Sequence, residues 1–369
     1  MSTPRIPALA RLGTYRVDRS YEWNYAHGPV WSGPLPAVPA TPGKTFFGLP
    51  VASRLGISAG LLLNSAWIGF YARCGYDILT YKTVRSRRRA CQPKPNWLFV
   101  DEADARRLER SKRSDAVHAH PRPAHGGPEA WTSTVSFGMP SREPAVWMAD
   151  VAAARGLIGT RQALIVSVVA SPEPGWSADD IVRDFGNLAA MAREAGAQIV
   201  EANLSCPNVT SAEGDLFHDA ALSGRIARAL RAGAGPLPVL LKIGHLGDER
   251  DLQALLRAVN GAASGLVIVN GLSRPVLDAS GAPAYGTGRQ QAGILGRGVH
   301  PIGVHDVARA VALIRRDRLD LEVAGVGGVA TPADVERYFA AGACAVLMGS
   351  VPMFDPALAA RLKAVDPKW

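Results

Sequence analysis

The chain has 369 residues, 47% hydrophobic and 20% charged, with 38 glycines and 27 prolines. These are globular proportions, which exclude collagen, coiled coil and wholesale disorder. The formal charge is +9, and between Arg85 and Arg122 eleven Lys or Arg stand against five Asp or Glu, so two-thirds of the excess sits in one segment. A basic balance invites a nucleic-acid reading, and its confinement means that any explanation of the charge starts with that segment.

No run approaches the ~18 apolar residues that cross a bilayer, and Met1–Arg11 lacks the apolar core of a signal peptide, so a cytoplasmic protein with no membrane partner is expected. Cys74, Cys91, Cys206 and Cys344 form no Cys-x-x-Cys pair. A disulfide framework, a local zinc site and an iron–sulfur cluster are therefore not expected.

Residues 1–46, rich in proline and aromatic side chains, read as an N-terminal arm. From residue 47 onward, short β-branched runs alternate with stretches of helical period. The predicted strands are Leu55–Ser58, Ile78–Val84, Ala163–Ala170, Gln198–Ser205, Pro238–Ile243, Gly265–Asn270, Glu322–Gly325 and Ala345–Gly349. The predicted helices are Leu61–Cys74, Ala145–Arg155, Ser177–Ala195, Ala220–Arg231, Asp248–Ala262, Gly303–Arg316, Thr331–Ala341 and Pro356–Val365. Ser177 ahead of Asp179 and Asp180, and Thr331-Pro332-Ala333-Asp334, are helix-start signals.

After the second strand, residues 85–131 break the alternation and read as a long basic loop with short strands. Its histidines His118, His120 and His125 have no acids or cysteines at ligand spacing, so no metal is assigned to them. Strands such as Leu266-Val267-Ile268-Val269 are apolar on both faces, as parallel strands covered by helices are. Eight such units predict an α/β fold of the (β/α)₈ TIM-barrel type over residues 47–369, with the arm and the insertion as its additions.

In a barrel of this kind the chemistry collects at the C-terminal ends of the strands. There the sequence places Lys82-Thr83, Asn203 to Asn208 around Cys206, Lys242, Asn270-Gly271, Gly327-Gly328 and Gly349-Ser350. Paired glycine turns after strands seven and eight, next to a helix start at Thr331, suit a phosphate. Cys206 between asparagines is a candidate reactive thiol, and Lys82 and Lys242 each close an apolar strand. A lysine so placed holds an anion or forms a Schiff base, as in barrel lyases.

The run Glu201-Ala202-Asn203-Leu204-Ser205-Cys206-Pro207-Asn208 resembles the signature of the dihydroorotate dehydrogenase family, and the resemblance extends from about Phe47 to Ala364. Gly56-Ile57-Ser58-Ala59-Gly60 is similar to that family's first flavin loop, Tyr81-Lys82-Thr83 to its second-strand lysine, and Ser136-Phe137-Gly138-Met139-Pro140 to its substrate loop. Ala292-Gly293-Ile294-Leu295-Gly296 is similar to its glycine-rich loop before the sixth helix.

This resemblance implies an FMN enzyme oxidising a CH–CH bond: dihydroorotate to orotate in pyrimidine biosynthesis, or a related cyclic acid. The implied molecule is a homodimer that takes a small anionic substrate. Cys206 would be the general base, and Lys242 would lie by the flavin's N1–O2 edge. The implied FMN contacts are Ser58, Ala59, Gly60, Lys82, Thr83, Asn203, Lys242, Gly293, Gly296, Gly327, Gly328, Gly349 and Ser350. The implied substrate contacts are Lys82, Ser136, Phe137, Gly138, Met139, Asn203, Asn208, Asn270 and Gly271.

Two positions depart from the family pattern: Val135 stands where it has asparagine, and Gly271 where it has serine or threonine. A cysteine rather than a serine base points to the family's soluble class. The electron acceptor stays open between fumarate, NAD through a partner subunit, and others. The alternatives are a Schiff-base lyase using Lys242 and a flavin reductase acting on RNA uridine; the latter kind carries a helical RNA-binding domain after its barrel.

Overall fold

The computed structural model describes residues 13–123, 125–205 and 216–369. Eight parallel strands, Leu55–Ile57, Ile78–Val84, Ala163–Val168, Ile199–Asn203, Val239–Ile243, Gly265–Ile268, Glu322–Val326 and Ala345–Met348, pair in chain order, and the eighth closes on the first. Helices follow them as the alternation predicts, among them Ser65–Arg73, Pro144–Leu157, Ala178–Glu194, Ala220–Ala234 and His300–Asp317. The start signals work as read: Ser177 and Asp180, like Thr331 and Asp334, form reciprocal capping boxes, each satisfying two otherwise orphaned backbone donors.

The barrel interior changes character along its axis. At the N-terminal ends of the strands Ile78, Ala163, Ile165, Ile199, Leu240, Val267 and Ala345 pack against Phe46 and Val51. Those two belong to a hairpin, Lys44–Phe46 with Leu49–Val51, that closes this end and straddles the expected boundary at residue 46. Towards the C-terminal ends the buried side chains turn polar: Ser58, Lys82, Ser167, Glu201, Asn203 and Lys242. Groups this costly to bury mark a site rather than a core.

The insertion sits where expected, after strand two, but it is folded rather than a loop. Its strands Trp97–Val100 and Val117–His120, with Thr132–Val135 just after it, join Leu272–Leu277 and Gln291–Gly296 in a second, five-stranded closed sheet. Ala292–Gly296, expected as a glycine-rich loop, is thus most of a central strand, paired to Leu272–Leu277 on one side and to Thr132–Val135 on the other. Some of the segment's cations have acidic partners: Arg87 pairs with Glu173, Arg106 with Glu102, and Arg107 and His118 with Asp104.

The arm is also ordered over its described part. Thr14 donates from its amide and its hydroxyl to the Met353 carbonyl, at 2.7 and 3.0 Å. Asn24 ties Arg16 and Ser20 together from the short helix Tyr21–His27, and Asn64 on the barrel donates to the Tyr25 carbonyl at 2.7 Å. These bonds hold the arm across the C-terminal end of the barrel.

Candidate active site

One cavity opens at that end. Ser58, Ala59 and Gly60 line it after strand one, Lys82 and Thr83 at strand two, Asn203 and Ser205 at strand four, and Lys242 at strand five. Asn270 and Gly271 follow strand six, Gly327 and Gly328 strand seven, and Gly349 and Ser350 strand eight. Neighbours in a regular strand face opposite sides, yet Lys82 and Thr83 both face the cavity. The register with strand three shifts between Tyr81 and Val84, and that irregularity turns the second side chain inward.

Lys242 is the electrostatic centre. Its Nζ donates to Ser58 Oγ at 2.7 Å and to the Ala59 carbonyl at 3.4 Å. Burial pushes this ammonium below the usual lysine range and pushes the Glu201 carboxyl above its own, while their mutual attraction opposes both shifts. Beside them Thr83 Oγ1 and Ser167 Oγ are 3.0 Å apart. Asn203 Oδ1 accepts from the Ser205 amide at 3.2 Å and from Asn270 Nδ2 at 3.1 Å, and Asn270 also donates to the Ser205 carbonyl. The two asparagines are thereby fixed in orientation, each with cavity exposure. Lys82 Nζ lies 5.4 Å from the centre of the Tyr21 ring.

The glycine turn after strand seven is forced by its surroundings. Gly328 has φ +63, and a Cβ there would lie 2.7 Å from the Gly296 carbonyl oxygen. Tyr338 donates its hydroxyl to the Gly327 carbonyl at 3.0 Å, and His300 Nδ1 lies 3.1 Å from the same oxygen.

Not every candidate reaches the cavity. In the 136–140 loop Phe137 and Met139 line it, but Ser136 and Gly138 do not. Ser136 donates instead to Gln92 Oε1 at 2.6 Å, and Gly138 supplies a turn at φ +73 against the same glutamine. Gly293 and Gly296 line the cavity from the second sheet rather than from a loop. Cys206 and Asn208 lie outside the described residues.

Sequence reasoning missed the cavity's outer wall. Tyr15 and Tyr21 from the arm, with Trp97 from the second sheet, line it as well, next to Val135, which the sequence marks as a departure from the family pattern. Also missed was Arg85, 1% exposed, whose guanidinium donates to the Met139 and Ala170 carbonyls at 3.1 and 2.6 Å and so sets the 136–140 loop against strand three. The signal for Arg85 was an arginine directly after a predicted strand, masked by the basic run that follows it.

The family model of dihydroorotate dehydrogenase matches residues 150–364. The dihydroorotate dehydrogenase of Dictyostelium discoideum is 30% identical over 356 residues, 94% of this chain and 95% of that one. The chain belongs to the dihydroorotate dehydrogenase family. It is therefore an oxidoreductase of a flavin-dependent family.

Two other members match over about half their length. Dihydroorotate dehydrogenase A (fumarate) of Lactiplantibacillus plantarum is 34% identical over 45% of this chain and 52% of its own. The catalytic subunit of dihydroorotate dehydrogenase B (NAD(+)) of Maridesulfovibrio salexigens is 28% identical over 50% of this chain and 59% of its own. Among solved structures, DHODH from Eimeria tenella in complex with ferulenol superposes with a TM-score of 0.65 at 15% identity, covering 87% of this chain and 82% of that one. That likeness is one of fold.

Gly271 follows from the backbone. It sits at φ +141, and a Cβ would lie 2.9 Å from the Ile294 carbonyl oxygen. This conformation is close to glycine-only. Gly271→Ser is expected to cost about 1–3 kcal/mol of stability, read as a lowered chemical-denaturation midpoint; an unchanged midpoint would contradict the assigned backbone.

Proposed function

We propose that this protein binds FMN and oxidises dihydroorotate to orotate, a step in pyrimidine biosynthesis. The observation that carries the reading is the convergence on one barrel mouth of a buried cation, Lys242, an asparagine pair, Asn203 and Asn270, and glycine turns after strands seven and eight.

The residues fit the cofactor. A Cβ built on Gly60 or Gly349 meets nothing within 4 Å, so both glycines border open space on the cavity side. Gly327, Gly328, Gly349 and Ser350 would hold the phosphate. Ser58, Ala59, Gly60, Thr83, Asn203, Lys242, Gly293 and Gly296 would hold the ring and ribityl chain. When bound, FMN supplies the hydride acceptor.

The protein's own residues do the rest. Lys242 would present positive charge toward the bound ring, where it would stabilise negative charge. Lys82 meets the substrate carboxylate, and Asn203, Asn270 and Asn208 meet its ring amides. Cys206 accepts the proton from the carbon next to the one that loses hydride. Tyr15, Tyr21, Trp97 and Phe137 keep water from the outer side. A lyase would need the Lys242 nitrogen as a nucleophile; its bonds to Ser58 and Ala59 favour the charge-holding role.

The same reading takes the molecule to be a cytoplasmic homodimer, by family likeness; among the described residues no helix is long and apolar enough to cross a membrane. The test is to release the chromophore from purified protein by heat, identify it by chromatography, and assay orotate formation from dihydroorotate. Released FMN with orotate formed is the expected pair of results. A colourless protein that binds no added FMN would overturn the reading.

A further inference from the structure

Two adjacent glycines, Gly327 at φ +133 and Gly328 at φ +63, give the turn after strand seven more rotational freedom than other residues would. Its order therefore comes from its partners, which reach it from two helices. Tyr338, on the helix Pro332–Ala340, donates its hydroxyl to the Gly327 carbonyl at 3.0 Å. His300, which opens the helix His300–Asp317, places Nδ1 3.1 Å from the same oxygen. A carbonyl only accepts, so Nδ1 is the ring nitrogen that carries the proton.

The pair is built into the fold. Tyr338 and His300 are 0% and 1% exposed, and their rings meet edge-on with centroids 5.3 Å apart. Tyr338 fits between strand seven and the helix His300–Asp317 because Gly325 and Gly303 leave it space that a Cβ on either would fill. Behind them Asp334 accepts from Arg297 Nη1 at 2.7 Å and from the Ala330 and Thr331 amides at 3.1 and 3.0 Å, which fixes the far end of the turn. His300 Nε2 lies 3.3 Å from Asp334 Oδ1 but makes no hydrogen bond among the described residues. Burial pushes the imidazole below the usual histidine range, against the pull of the Asp334 carboxylate. The neutral ring, with its one proton on Nδ1, is the form that serves Gly327.

In a trans peptide the carbonyl and the following N–H point in opposite directions. Pinning the Gly327 carbonyl to Tyr338 and His300, neither of which lines the cavity, turns the Gly328 N–H away from them, and both glycines line the cavity. Gly328 is buried, and its N–H makes no hydrogen bond among the described residues. A buried N–H without a partner is costly, and a bound acceptor relieves it.

We propose that His300 and Tyr338 are positioning residues for the flavin's phosphate: by holding the Gly327 carbonyl on the far side of the turn, they keep the Gly328 N–H presented to the phosphate and set a preference for FMN over riboflavin. The inference rests on the proposed FMN reading. Without these two donors the diglycine peptide is free to rotate, and a flipped peptide would turn a carbonyl oxygen toward the anion.

The experiment strips the full-length protein of its flavin and titrates it with FMN and with riboflavin, followed by quenching of flavin fluorescence. Wild type is expected to bind FMN more tightly than riboflavin. Tyr338→Phe is expected to weaken FMN about two- to tenfold and Tyr338→Phe/His300→Leu about 10- to 100-fold, with riboflavin changed by less than about twofold. Tyr338→Phe/His300→Asn, which restores an N–H donor near the position of Nδ1, is expected to return to the affinity of Tyr338→Phe. An equal loss for both flavins, or no loss for either, would overturn the positioning role while leaving the FMN reading intact. A wild type that binds neither flavin would overturn both. If the double variants do not fold, Tyr338→Phe, which deletes one oxygen, decides by the same ratio of FMN to riboflavin affinity.

Discussion

Cys206→Ala is expected to yield a folded, flavin-loaded protein whose reduction by dihydroorotate is slower by about 10² to 10⁴, the usual contribution of a positioned base. Cys206 follows Ser205 in the chain. Asn203 and Ser205 line the cavity, and Asn270 fixes both through its amide. Alanine removes the proposed proton acceptor and leaves Lys242, the asparagines and the glycine turns in place, which separates chemistry from binding. Anaerobic stopped-flow absorbance of the flavin reads the rate, and the resting spectrum reads cofactor retention. A variant that reduces at the wild-type rate would remove Cys206 from the reaction.

A second large effect lies at the opposite end of the barrel. Lys363, on the last helix Leu358–Val365, donates to Asp77 Oδ2 at 2.6 Å, and the side chains are only 1% and 4% exposed. Ser53 Oγ donates to the same oxygen at 2.6 Å. Asp77 stands just ahead of strand two, with its amide bonded to the Leu55 carbonyl and its carbonyl to the Ala163 amide. The pair therefore ties the C-terminal helix to the first three strands.

Removing one partner leaves a buried charge without compensation, and Lys363→Ala is expected to lower stability by about 3–5 kcal/mol. Asp77→Asn/Lys363→Met, which removes both charges and keeps an acceptor for Ser53, is expected to recover much of that loss, because burying an ion pair is itself costly. Urea unfolding followed by circular dichroism measures both variants. A double variant as unstable as the single one would show that the loss comes from packing rather than from the unpaired carboxylate.

The barrel was legible because its signals are local. Val239-Leu240-Leu241 and its counterparts are apolar on both faces, and Ser177 and Thr331 announce their helices within four residues. The site was legible for the same reason: Lys82, Asn203, Lys242 and Asn270 each end a recognisable strand, and closure of the barrel brings them together. What stayed hidden depends on distant partners. Thr132–Val135 pairs with residues more than 150 positions away, and nothing in its own four residues announces that pairing. Tyr15 and Tyr21 reach the cavity only because Thr14 and Asn24 fasten the arm, bonds that leave no periodic trace. Ser136 looked like a ligand from its motif, but Gln92, in the insertion, takes its hydroxyl. Arg85 read as one more charge in a basic run until its carbonyl partners were in place.

The central claim is that the polar barrel mouth binds a flavin and passes it a hydride from dihydroorotate. An anaerobic titration of the purified holoprotein with dihydroorotate, followed at the flavin's visible absorbance band, tests this most directly. The account predicts stoichiometric bleaching with orotate as the product. A bound flavin that stays oxidised through excess dihydroorotate, yet bleaches with dithionite, would contradict it.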